Sequence, residues 1–119
     1  MKYVLMFVET EQYQKAWEAK DDAERRQAYE QVWRWFAEHA DRMSNRGAKL
    51  QPAHAATTVR MDGGDAVVTD GPFLEGKEVI SGFVEIDVAD LDEALRLVRS
   101  WPGCPTVEIR PVDDGPMPA

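Results

Sequence analysis

Lys2 to Val8 reads as a β-strand that is apolar on both faces, with Tyr3, Leu5 and Phe7 alternating with Val4, Met6 and Val8. Successive side chains of a strand point to opposite sides, so both sides of this one need cover. The chain has 119 residues, which fits one domain with a modest core. Its own helices can cover one side. A large apolar patch left on the other would mark an interface.

The rest of the chain supplies the covering layer. Thr10 to Ala19 reads as a loop or short helix carrying Tyr13 and Trp17. Asp21, with Glu24 three residues on, is a capping-box pattern opening a long helix to about Asn45. Its apolar stripe is expected at Ala28/Tyr29, Val32/Trp33, Phe36, Ala40 and Met43, and Gly47 should end it. After Pro52, the run Thr57-Thr58-Val59 and the run Ala66 to Thr69 flank Asp62-Gly63-Gly64-Asp65, which predicts a hairpin. Val79 to Val88 reads as a further strand, with Ile80, Gly82, Val84, Ile86 and Val88 on one face and Ser81, Phe83, Glu85 and Asp87 on the other.

Asp90 and Glu93 cap a second helix with a stripe at Leu91, Ala94/Leu95, Val98 and Trp101, and Pro102-Gly103 stops it. Val107 to Arg110 is a short final strand, and the Pro- and acid-rich segment 113–119 reads as a flexible tail to a single domain over 1–112. Helices on one face of an antiparallel sheet, in this order, predict an α+β sandwich of ferredoxin-like type with two main helices. A two-fold dimer with the sheets facing each other is the simplest cover for the other face, which carries Phe83 and three residues of the first strand.

Charge narrows the partners. The formal net charge is -8, from 22 acidic against 14 basic residues, which disfavours direct binding to nucleic acid or anionic membrane. The basic residues Arg25, Arg26, Arg34, Arg42 and Arg46 are interleaved with Glu24, Glu30, Glu38 and Asp41, a solvated-face pattern. Cys104 is the single cysteine, which excludes an internal disulfide and a multi-cysteine metal site. The first apolar run meets Glu9 too soon for a signal-peptide core or a spanning helix, and the expected location is cytoplasmic.

Chemistry concentrates after the hairpin. In Asp70-Gly71-Pro72-Phe73, Gly71 allows positive φ and Pro72 fixes its own, so the chain must bend just past Asp70. Asp70 then has two readings: a general acid or base held at a strand end, or a side chain capping the bend. Glu75, Lys77 and Glu78 either complete a polar site or form a solvated loop. Arg110 either anchors a carboxylate ligand or pairs with Glu85 or Asp70. His54, at even spacing from Ala56, Thr58 and Arg60, is a second proton-carrier candidate or a surface residue. His39 reads as solvated. Two distant histidines and one cysteine give no zinc spacing, no phosphate-binding glycine loop is present, and no metal or cofactor is expected.

The run Val67 to Glu78 closely resembles the signature of the DGPF subgroup of the YCII-related proteins. The similarity extends through Met1-Lys2-Tyr3, Leu50-Gln51-Pro52, Ala56 to Arg60, Gly82-Phe83, Asp90 to Ala94 and Val107 to Pro111. One departure stands out: relatives often carry Gly-Glu just before the Leu-x-Pro segment, whereas Gly47 is followed by Ala48 here. The resemblance implies a dimeric α/β barrel, and an association with sigma factors of the extracytoplasmic-function type. Two functions stay open at this point. One is a cofactor-free acid/base enzyme on a small organic molecule, with Asp70 and His54 as proton carriers and Arg110, Thr58, Phe83, Lys77 and Glu78 around the ligand. The other is a non-catalytic ligand-binding or regulatory module.

Overall fold

A computed structural model describes residues 1–72 and 78–116. Strand β1 (Lys2–Thr10) is followed by helices α1 (Glu11–Glu18) and α2 (Asp22–Glu38), a two-residue strand β2 (Ala48–Lys49), the hairpin β3 (Thr57–Asp62) and β4 (Asp65–Asp70), β5 (Glu78–Asp87), α3 (Leu91–Arg99) and β6 (Thr106–Pro111). The four-stranded sheet has the order β2-β5-β1-β6, antiparallel throughout, and β3-β4 forms a separate two-stranded sheet. This is an α+β arrangement consistent with a ferredoxin-like fold, with three helices. The four-stranded sheet is open, not a closed barrel.

Both expected helix caps are present. The Asp21 carboxylate accepts from Glu24 N–H at 2.8 Å while the Glu24 carboxylate accepts from Asp21 N–H at 3.1 Å, and Asp90 accepts from Glu93 N–H at 2.9 Å. The expected loop or short helix after β1 is helix α1, capped by the Thr10 hydroxyl. Helix α2, however, stops at Glu38, well before Asn45. From Met43 the chain is captured by the sheet edge: Met43 bridges Ile86, and Ser44 N–H donates to Glu85 O at 3.0 Å. Asn45 Oδ1 then accepts from both Gly47 N–H and Glu85 N–H. Gly47 thus belongs to this docking segment and not to the helix end.

The core lies between the helices and one face of the sheet. Tyr3, Leu5 and Phe7 face Ile86, Val84 and Gly82 in register, under Trp35, Ala94, Leu97 and Trp101. Part of each expected stripe reaches the core, Phe36 and Met43 from the first and Ala94, Val98 and Trp101 from the second, but other members do not. Trp35 is 3% exposed, whereas Trp33 is 66% exposed and stacks on Tyr29. In α3, Ala94 and Leu97 are buried, while Leu91 and Leu95 face outward.

A β-bulge opposite Phe7 and Val8 changes the face of one more residue. Phe7 pairs with Gly82 but Val8 pairs with Ile80, which leaves Ser81 as the extra residue. Ser81 is buried, its hydroxyl donating to Phe7 O at 3.1 Å. Ile80 is turned to the far side of the sheet, beside Phe83, and not toward the helices as alternation alone predicts.

Candidate functional site

No chain segment covers that far side of the sheet among the described residues. Register places Val4, Met6 and Val8 of β1 there, between Ile80 and Phe83 of β5 and Thr106, Glu108 and Arg110 of β6. Ile80 is 51% and Phe83 40% exposed. The result is an apolar floor with a charged margin. Arg110 pairs with Glu108 of its own strand at 3.2 Å, not with Glu85 or Asp70. Glu85 is held instead by the Ser44 hydroxyl at 2.6 Å and by Lys2 at 3.9 Å. Arg110 carries five N–H donors, so one partner leaves donors over for an anion. Glu78, opposite Thr10 at the start of β5, shares this face, whereas Lys77, like Phe73 and Glu75, lies outside the described residues.

The remaining predicted residues gather at the root of the hairpin. Asp70 ends β4 opposite Thr57. Gly71 takes φ +101°, its N–H donates to Ala56 O at 2.6 Å, and the Thr58 hydroxyl donates to Gly71 O at 2.7 Å. The bend is therefore closed by backbone and Thr58, and not by an Asp70 cap. The reason is local: an Asx-turn needs the N–H two residues on, and that residue is Pro72, which has none. The Asp70 carboxylate has no hydrogen bond or ion pair among the described residues. His54 sits in a 3-10 turn (Ala53–Ala55) ahead of β3, so it does not share the strand alternation with Thr58 and Arg60.

Thr57, Asp70, Val59, Val68, Met61 and Ala66 point to one side of the hairpin, because residues directly opposite in an antiparallel pair share a face. Thr58, Thr69, Arg60 and Val67 point to the other. Asp70 thus stands at the root of an otherwise largely apolar hairpin face. That placement depends on register, and the structure keeps Asp70 on a separate sheet from Arg110 and Phe83.

Elsewhere, His39 is half-buried and not solvated, with Nδ1 2.8 Å from Trp35 O. It borders a polar surface hollow of about 320 Å³ with Asp41, Arg42, Glu93 and Arg96, where Arg42 and Glu93 form an ion pair at 3.0 Å. Among the described residues no cluster of three or more His, Cys, Asp or Glu side chains is arranged to hold a metal, and no helix is long and apolar enough to cross a membrane.

Cys104 is buried, and burial pushes its thiol above the ordinary range, which suppresses the thiolate a nucleophile needs. Tyr13 is pushed up as well, first by burial and then by the nearby Glu9 carboxylate. Both groups hold their protons more tightly in the folded state than in the unfolded one. Their contribution is therefore intact below the unfolded-state thiol value of about 8.5 and is lost as pH rises through the folded values. The denaturation midpoint should fall with pH above about 8.5, and less so in Cys104→Ala. Thiol-reagent labelling of the native protein should be slow at pH 7.5 and become fast in denaturant. Rapid native labelling would contradict the burial of Cys104.

The model of the YCII-related domain matches residues 1–114. An uncharacterized protein of Rhizobium meliloti (strain 1021) is 35% identical over 116 residues, covering 94% of this chain and 92% of that protein.

Proposed function

The chain belongs to the YCII-related family, and within it we propose that this member, of the DGPF subgroup, works as a homodimer that binds a small organic molecule. The two open sheet faces enclose the binding chamber. One observation carries this reading: the floor of Val4, Met6, Val8, Ile80 and Phe83, apolar and uncovered among the described residues, beside the cationic Arg110. An apolar chamber with a few polar groups at its margin is the usual form of a small-molecule site. The ligand it fits has an apolar body and one carboxylate or comparable anion, held by Arg110.

A second reading, cofactor-free proton transfer on that ligand, is favoured by Asp70. Its carboxylate is fixed by a closed bend yet has no partner among the described residues, as a general acid or base requires. Because that carboxylate makes no bond among the described residues, Asp70→Asn and Asp70→Ala should both melt within about 0.5 kcal/mol of the parent.

The test is a thermal-shift screen of aromatic and aliphatic monocarboxylates, followed by calorimetric titration of any that stabilise. Arg110→Gln should abolish the shift for carboxylates, while Asp70→Asn should preserve binding and abolish turnover. Stabilisation that persists in Arg110→Gln would overturn the anchoring role. A loss of fold in Asp70→Asn would show that Asp70 is a buried structural group.

A further inference from the structure

The β3-β4 hairpin is closed at its root by Gly71 N–H on Ala56 O and by the Thr58 hydroxyl on Gly71 O, and nearly all of its residues on both faces are exposed. Its apolar side presents Val59 at 53%, Val68 at 63% and Met61 at 75% exposure. A two-stranded hairpin is marginally stable by itself in water, so a long one with an apolar face needs a surface to lie on. The whole molecule bears the mark of a missing surface. Its radius of gyration is 16.7 Å, against about 13.5 Å for a compact chain of this length. Its accessible surface is 8932 Å², about 2,400 Å² above that of a typical monomer of its mass. A standard interface takes only about 800 Å² from each partner.

Among the described residues one chain thus carries two uncovered apolar surfaces, the hairpin face and the sheet face, on separate sheets. We propose that the apolar side of the hairpin docks on the open sheet face of a second copy of this chain. It lies there along the margin of the chamber, so that Asp70 enters the site of the opposite subunit. A two-fold axis satisfies both surfaces at once: hairpin meets sheet, and sheet meets hairpin, in a closed pair with no surface left to propagate a filament. The site is then composite, with the apolar floor and Arg110 from one subunit and Asp70 from the other. This rests on the two-fold dimer proposed above and adds the identity of the segment that completes it.

Matched substitutions on the two sides of one strand test it. Val68→Asp puts a charge on the docking side; Val67→Asp makes the same change one residue earlier, on the opposite side, at the same cost to strand propensity. Light scattering and sedimentation over a concentration series give the dimer dissociation constant for each. The expected result is a dimeric parent, a dissociation constant raised about tenfold or more in Val68→Asp, and little change in Val67→Asp. If the parent and both variants dimerise alike, the hairpin is not the docking element and the facing-sheet dimer stands without it. Equal weakening in both variants would show an effect on hairpin folding and not on a docked face, and would overturn the proposal. A parent that is monomeric at micromolar concentration would remove the dimer and the hairpin exchange together.

Discussion

Trp35→Ala is expected to lower the unfolding free energy by about 3–5 kcal/mol, a large share of the ~5–15 kcal/mol that holds a domain of this size. Trp35 joins the two helices to the sheet. Its ring meets Phe7, Phe36 and Trp101 edge-on with centroids 6.4, 5.2 and 4.9 Å away, and its Nε1–H donates to Leu97 O at 3.2 Å and to the Ser100 hydroxyl at 3.0 Å. Alanine leaves a ring-sized void that these three rigid aromatic neighbours fill poorly. Trp35→Phe keeps much of the volume and loses the N–H donor, and should cost about 1–2 kcal/mol. Trp33→Ala, on the solvent side of the same helix, should stay within about 0.5–1 kcal/mol, since only its stacking on Tyr29 is lost. Urea denaturation of the three variants decides the matter. A larger loss at Trp33 than at Trp35 would mean that the helix faces the sheet with its other side.

Gly47→Ala should have the second-largest effect, about 2–4 kcal/mol. Gly47 takes φ +63°, a conformation that costs a residue with a Cβ about 1–2 kcal/mol. An added Cβ would also overlap the Phe83 carbonyl oxygen and lie 2.9 Å from Val84 Cα, backbone atoms of an inner strand that cannot step aside. The segment would have to lift from β5, and the pairing of Ala48 with Phe83 and Lys49 with Gly82 would go with it. Gly63→Ala is the control. It has a similar φ of +56° at the hairpin turn but open space around it, so it pays the conformational term alone. Thermal melts in which the two glycine variants lose equal stability would rule out the close approach at β5.

The parts legible in the sequence are those set by local chemistry. The Asp21-Glu24 and Asp90-Glu93 caps, the Gly63-Gly64 turn and the alternation of β1 each depend on residues a few positions apart, and each is found where expected. What escaped depends on distant partners. The early end of α2 is imposed by Ile86 and Glu85, some forty residues later, and no local breaker announces it. The turn of Ile80 to the open face comes from a bulge that exists only in the pairing with β1. Trp33 and Trp35 are equally apolar to the eye, and the choice between them follows from how the helix rolls onto the sheet. At the candidate site, Asp70, Phe83 and Arg110 were visible as residue types, but their distribution between a hairpin root and a sheet face is a matter of topology. That Asp70 does not cap its bend was within reach of sequence alone, since Pro72 lacks the N–H such a cap needs.

The central place of β1 has a consequence for how the protein is made. Strand β1 is synthesised before both of its partners, β5 on one side and β6, ending at Pro111, on the other. At ribosomal speeds of about 5–20 residues per second, it waits on the order of 5–20 s for its last partner to be translated. Until β5 has been made, a segment apolar on both faces has no edge to join, and contacts of such long sequence separation form slowly even once the chain is complete. Newly made copies on one messenger therefore hold the same sticky strand exposed near one another. The yield of soluble protein should depend on elongation rate and chaperone supply more steeply than the stability of the finished fold suggests.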